Sequence, residues 1–481
     1  MTVHTFDPTV ATGALQALQE ALGGRVSLDP EVRARYRSDF GRLVDRLPGA
    51  VALCSDTSEV AAVVRRCREL RLPIVPRGQA HTQTGQATSD GGVVLDTAAL
   101  DRIHSIDEEA LTAMVDGGVV WRDLVVAATA RGLVPPVLTN NLGVTVAGTL
   151  SMAGLGVASF RYGTQADNVV ELEVVTGEGE IVVCSREKNR ELFDVVRCGL
   201  GQFGIITRAT LRLRRCQPRV RMYTLVYDRL DAFMEDALRI MDPADRSFHS
   251  LGGICSGSPL GFRSIGEGLE LGVGVQGFAH WVFPMFLSTE LAPGEEPDDA
   301  ALLAGLRFSR HAHTEDTTQL DFCRRMEPMF QLWRRTGYWD HPHPWMETIL
   351  PWEGAQEYVE SVLAELPPGA LGAGGQVLLW PSRTDCSDVP LFMHPAGEAV
   401  MGWGILGAVP REFLDEGLAK LDLASELSIH YGAKRYLSGY ITFDSEERWA
   451  GHFGDRWPAV QAAKKRWDPD GILAPGFIRY E

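Results

Sequence analysis

The chain has no C-x-x-C pair, no stripe of Lys or Arg, and no apolar run of about 18 residues that would span a bilayer. Each absence removes a class of function. Cys54, Cys67, Cys184, Cys198, Cys216, Cys255, Cys323 and Cys386 are scattered, so they read as small buried hydrophobes in a reducing compartment, with no disulfide supported. The formal net charge is −17, and an acidic chain without a basic face is a poor match to nucleic acid or an anionic membrane. The opening Met1-Thr2-Val3-His4-Thr5-Phe6-Asp7-Pro8 lacks the charged and apolar regions of a signal peptide, so a cytoplasmic protein is expected. No G-x-S-x-G elbow or Cys–His signature argues for hydrolysis. His311-Ala312-His313 and His341-Pro342-His343 each bring two imidazoles together without a third ligand at a recognisable spacing, so no metal site is expected.

What remains is an ordinary globular composition, 45% hydrophobic and 23% charged, over 481 residues, enough for two large lobes. The first half alternates strand and helix patterns. Strands are expected at Ala50–Leu53, Ile74-Val75, Gly92–Asp96 and Ala113–Asp116, with a hairpin over Val169–Thr176 and Ile181–Cys184 and a strand at Ile205–Leu213. Thr57 offers an N-cap to a helix carrying Val60, Val63, Val64, Cys67 and Leu70. From about Arg219 to Tyr431 the texture changes to strand-like runs such as Leu269–Phe278, Val377–Trp380 and Val400–Leu406, separated by longer helices. That texture predicts a second α+β domain inserted into the first.

G-x-G-x-x-G occurs at Gly199–Gly204, Gly272–Gly277 and Gly402–Gly407. A dinucleotide fingerprint needs a strand before the glycines and a helix after them. The first copy runs from helix to strand, and the other two lie inside strand-like runs, so none fits. The segment Arg77-Gly78-Gln79-Ala80-His81-Thr82-Gln83-Thr84-Gly85-Gln86 is neither helical nor alternating. Its glycines let backbone N–H groups face an anionic diphosphate. Arg77 either adds charge there or forms a surface ion pair, and on the residues alone His81 reads as a polar loop residue.

Arg77-Gly78-Gln79-Ala80-His81-Thr82 resembles the flavin-attachment loop of the vanillyl-alcohol oxidase, or PCMH-type, FAD-binding superfamily, and within it the chain is most similar to the cytokinin dehydrogenase branch. Further matching segments run the length of the chain: Thr145-Val146-Ala147-Gly148-Thr149-Leu150-Ser151, Phe160-Arg161-Tyr162-Gly163, Gly199–Arg208, His343-Pro344-Trp345, Lys434-Arg435-Tyr436-Leu437 and Ile472–Gly476. The resemblance implies an α+β fold. Residues 1–216 would form a PCMH-type FAD-binding domain of two α/β subdomains. Residues 217–432 would form an inserted substrate domain built on an antiparallel sheet, and 433–481 would return to the FAD domain. It implies FAD joined through its 8α-methyl to His81, with a single attachment because Gly154–Tyr162 holds no cysteine. It assigns Arg77, Gly78, Gln79, Ala80, Thr82, Gln86, Thr145, Ser151, Leu155, Ile205, Tyr436 and Phe477 to the cofactor's surroundings.

One departure bears on function. Where the cytokinin branch has a catalytic aspartate, this chain has Asn140, which orients a substrate but takes no proton at neutral pH. Candidates for another base are His249, His280, His341, His343, Glu347 and Tyr338, and Trp380 and Trp403 are candidates for an apolar substrate box. The expected function is an FAD-dependent oxidase or dehydrogenase. It would pass hydride from a C–N or C–O carbon of a small organic substrate to flavin N5, with oxygen or another acceptor reoxidising the cofactor. The alternatives are true cytokinin or amine oxidation, or a flavin-binding protein without redox turnover.

Overall fold

Short runs of Val, Ala, Leu and Ile build the first lobe around two sheets. The computed structural model describes residues 8–258, 262–265, 268–271, 280–366, 371 and 375–480. Ala50–Leu53, Val93–Asp96 and Ile74–Arg77 pair in parallel, with Val26–Ser27 antiparallel at one edge. The helix Thr57–Glu69 lays Val60, Val63, Val64 and Cys67 against them. Its N-cap is Asp56, which accepts the Glu59 N–H at 2.9 Å, rather than Thr57, whose hydroxyl instead donates to Glu173 at 2.6 Å. A carboxylate one residue earlier satisfies the helix end and frees Thr57 to tie the helix to the second sheet.

That second sheet is antiparallel, in the order Ile103–Asp107, Thr112–Asp116, Ile205–Arg212, Val169–Val175, Ile181–Ser185. The expected hairpin turns at Gly179, at φ +75°. The Gly199–Gly204 copy runs from the helix Arg190–Val196 into the strand Ile205–Arg212, the reverse of a dinucleotide fingerprint. A Cβ on Gly204 would stand 2.4 Å from the Val174 side chain, so this glycine answers to packing.

The middle of the chain forms one antiparallel sheet of eight strands among the described residues. Its order is Arg310–Thr318, Arg219–Tyr227, His280–Leu291, Ser250–Ser258, Gln376–Arg383, Ala399–Leu406, Met346–Pro351 and Lys434–Arg435. The helices Leu230–Ile240 and Trp352–Glu365 pack on one face around Phe233, Tyr358, Val359 and Trp403. The expected strand Leu269–Phe278 is seen only as Gly268–Leu271; the rest of it, and the Gly272–Gly277 copy, lie outside the described residues. The side chain of His280 lies outside them too.

The chain crosses back at its end. Lys434–Arg435 completes the large sheet beside Met346–Pro351. Leu473 then bridges Ile74 in parallel, with Ile74 N–H donating to Ile472 O and Ala474 N–H to Ile74 O, both at 2.8 Å.

Candidate active site

The loop after strand Ile74–Arg77 is pinned from several sides. The Arg77 guanidinium donates to the carbonyls of Ser38 (2.9 Å), Ala87 (3.2 Å) and Tyr36 (3.4 Å). These N–H groups are committed to protein carbonyls, so Arg77 forms no surface ion pair among the described residues, while its charge stays beside the cavity it lines. Asp39, buried, accepts the Thr82 hydroxyl at 2.8 Å and the Gly85 N–H at 2.6 Å. Burial pushes its carboxyl up to about 6, with those two donors opposing. Gly78 has no room for a side chain, since a Cβ would meet Thr145 Oγ1 at 2.2 Å. Ala80 holds φ +49°, a left-handed conformation that the surrounding ties must sustain.

These constraints present His81. Its ring packs edge-on to Phe40 at 4.1 Å and to Trp345 at 5.2 Å, and Nε2 is buried without a hydrogen-bond partner. Burial, with His343 and Arg334 adding repulsion, pushes its pKa down to about 3. The imidazole is neutral at pH 7, with a lone pair free for bonding.

The sites expected from sequence converge on one cavity of about 1640 Å³ including its mouth. It is lined by Arg77, Gly78, Gln79, Ala80, His81, Thr82, Gln86, Asn140, Thr145, Ser151, Leu155, Ile205 and Tyr436. Several of those side chains are engaged by the protein itself. Gln86 Nε2 donates to the carbonyls of Leu437, Ser438 and Gly439. Thr145 Oγ1 caps the Gly148 N–H at 3.3 Å, Ser151 Oγ donates to Ala147 O, and the Tyr436 hydroxyl accepts the Gly154 N–H at 3.0 Å. Leu200, Gly201 and Gly204 also reach the wall, so the first G-x-G-x-x-G borders the cavity although it is no dinucleotide fingerprint. Phe477 does not line it: past the Gly476 turn at φ +84° its ring packs on Trp449 at 5.4 Å.

Asn140 lines the cavity, and its Oδ1 accepts from Arg325 Nη2 at 3.0 Å, which orients its amide hydrogens as donors. Sequence reasoning missed Arg325, and it missed the helix Glu327–Arg335, which with Met326 turns Met329, Phe330 and Trp333 to the cavity. The spacing of Met326, Met329, Phe330 and Trp333, one face of a helix, is the signal that would have found it. The two tryptophans proposed for a box part company. Trp380 lines the cavity, whereas Trp403 is fully buried in the opposite face of the sheet, against Tyr358. Among the proposed bases, His249 accepts the Glu290 N–H through Nδ1, Tyr338 donates to Leu371 O, and neither these nor His341 and His343 line the cavity. Glu347 does.

The cavity fits FAD. Its wall is mostly apolar and is interrupted by Gly78, Gly148, Gly201 and Gly204, where a flat ring system and a diphosphate can approach the backbone. The glycine-containing loop forms part of that wall, and the unprotonated imidazole of His81 stands on it.

Residues 48–185 match the family described as FAD binding domain, and residues 296–478 match that described as cytokinin dehydrogenase 1, FAD and cytokinin binding. An uncharacterized oxidoreductase in the fasciation locus of Rhodococcoides fascians is 34% identical over 441 residues, spanning 92% of this chain and 95% of its own length. Cytokinin dehydrogenase 7 of Oryza sativa subsp. japonica is 33% identical over 492 residues, with 96% and 92% covered. Cytokinin dehydrogenase 3 of Arabidopsis thaliana is 29% identical over 461 residues, with 91% and 87% covered.

Proposed function

The chain belongs to the cytokinin dehydrogenase family of FAD-dependent oxidoreductases, and from that membership we propose that it oxidises a small organic molecule at a carbon bonded to nitrogen or oxygen, with FAD joined covalently to His81. The observation that carries the covalent link is His81 itself: neutral, packed between Phe40 and Trp345, and on the wall of the cavity. Bound FAD supplies the two-electron acceptor for a hydride leaving the substrate carbon.

The protein's own residues supply the surroundings. Asp39 and Arg77 fix the loop so that His81 has one position. Leu155, Phe330, Trp333, Trp345 and Trp380 surround the substrate space with apolar surface that excludes water. The Asn140 amide, its oxygen held by Arg325, presents N–H donors to a substrate lone pair. Oxygen or another acceptor collects the electrons. Eight free cysteines accord with a reducing, cytoplasmic setting.

A second reading, oxidation of a cytokinin itself, is favoured by the match of residues 296–478 to a family that binds one. Anaerobic incubation with isopentenyladenine decides it: bleaching of the bound flavin supports this reading, and an unchanged spectrum at high concentration removes it.

Acid precipitation tests the link. Flavin absorbance should stay with the denatured wild-type pellet and move to the supernatant in His81→Ala. Colour in the wild-type supernatant would refute covalent attachment. No small amine or alcohol reducing the flavin would refute the redox reading.

A further inference from the structure

Among the described residues that line the cavity, the one carboxyl side chain is Glu347, on the large sheet. Register places Glu347 opposite Gly404, and Gly404 opposite Leu378, so these three positions form a row across three strands. The missing side chain at Gly404 makes the space: a Cβ there would lie 3.2 Å from Glu347 Cγ and 3.3 Å from the Trp380 ring. The glycines of the Gly402–Gly407 copy thus seat Trp380 and Glu347 against the strand, a packing role for a pattern that looked like a nucleotide loop.

Glu347 is only 7% exposed, and no cation lies within ion-pair distance among the described residues. The Ser438 hydroxyl donates to Oε2 at 3.3 Å. Arg435, whose charge acts on that carboxyl, spends its hydrogens on the backbone carbonyls of Glu347 (3.1 Å) and Tyr440 (2.7 Å) and on Ser425. Oε1 has no hydrogen bond among the described residues and is not sealed from the cavity. A carboxyl group in an apolar wall, tethered through one oxygen and open through the other, is placed to exchange a proton with whatever fills the space.

We propose that Glu347 is the residue that accepts the substrate's N–H or O–H proton during oxidation. This rests on the reading of the cavity as the site where a small amine or alcohol loses hydride. In the step, the X–H bond of the substrate breaks and its proton passes to Glu347. Bound FAD would be the oxidant, taking the hydride and both electrons of the adjacent C–H bond as that bond breaks. The substrate leaves with a C=X double bond, two electrons and two hydrogens poorer. Asn140 cannot do this, since its oxygen is already held by Arg325 and an amide has no basic site at neutral pH.

The charge balance around Glu347 suits the task. Burial pushes its carboxyl up to about 7, while the Ser438 hydrogen bond and the Arg435 charge hold it down. Tyr436, on the returning segment, is the other titratable group that faces it, and burial keeps that phenol protonated. Gly404, Leu378 and Trp380 of the flanking strands bring no charge. A raised carboxyl pKa means the base is available above that pH and lost below it.

The test uses holoprotein and two variants, Glu347→Gln and Glu347→Asp, each first checked for a wild-type flavin spectrum. The first readout needs no substrate: infrared spectra taken from about pH 5 to about pH 9 should show protonated-carboxyl absorbance fading near neutrality, with the Asp39 signal near pH 6 in both proteins and a further component that Glu347→Gln lacks. If wild type and Glu347→Gln give the same spectra, Glu347 does not titrate there and the proposal is wrong. The second is the rate of anaerobic flavin bleaching. In wild type it should rise with pH and level off above about 7. In Glu347→Gln it should fall about 100-fold or more and lose that pH dependence, while Glu347→Asp keeps part of both. A Glu347→Gln rate within a few-fold of wild type, with the same pH limb, would overturn the proposal. Failure of any substrate to bleach the wild type would strike the redox reading instead, and the infrared result would still decide whether Glu347 holds an exchangeable proton.

Discussion

Replacing Gln86 by Leu should loosen the joint between the His81 loop and the returning end of the chain. The Gln86 side chain is 8% exposed. Its Nε2 donates to Leu437 O (3.1 Å), Gly439 O (3.2 Å) and Ser438 O (3.4 Å), and its Oε1 accepts the Thr84 N–H at 2.8 Å. Two amide hydrogens shared among three carbonyls, plus the Thr84 bond, amount to roughly three hydrogen bonds, each worth about 1 kcal/mol net. Leucine matches the bulk but leaves those groups buried without partners, so the expected loss is about 3 kcal/mol, roughly a hundredfold in the folding equilibrium. Urea unfolding of the holoprotein, followed by far-ultraviolet circular dichroism and by flavin fluorescence, measures it. The conversion to free energy holds where the two probes coincide. Gln86→Glu, which sets an acceptor against three acceptors, should lose more. A Gln86→Leu midpoint equal to wild type would show that the joint is held without this amide and refute the reasoning.

Asn140→Asp puts a carboxylate beside Arg325, 3.0 Å from the present oxygen, and the resulting ion pair holds the new group ionised but poorly basic. We expect no gain in flavin reduction and a stabilisation on the order of 2 kcal/mol in urea; a large gain in amine oxidation would contradict this. Asp39 binds its proton more tightly folded than unfolded, so its contribution to stability falls as pH rises from about 4 through about 6. Asp39→Asn should therefore gain on wild type by about 3 kcal/mol between the ends of that window, read from urea midpoints at both pH values, and a constant difference would refute the raised pKa.

Much of the site was legible because its loop residues are local. Arg77 to Gln86 is one segment, and the strands before and after it carry plain apolar patterns. What pairing decides was not legible. Trp380 and Trp403 look equivalent as strand residues, yet Trp403 sits opposite Leu379 and Trp380 opposite Gly402, so adjacent strands turn the two rings to opposite faces. Glu347 stood among six candidate bases without distinction. Only the packing of its strand between Ala399–Leu406 and Lys434–Arg435 removes water from the carboxyl and opens it to the cavity. Asn140 read as a free amide because Arg325, which holds its oxygen, lies 185 positions away. Phe477 was placed by its neighbour in a motif, but a single positive-φ glycine turns it into the core beside Trp449.

The parallel bridge from Ile74 to Leu473 also bears on how the protein is made. Synthesis proceeds from the N-terminus, so the strand that leads into the His81 loop emerges with one edge bare and waits nearly 400 residues for the segment that covers it. Until then, the two lobes can form their local helices and hairpins but cannot close the wall between them. Cofactor capture therefore belongs after translation rather than during it, and until the last segment arrives the bare edge is open to mispairing.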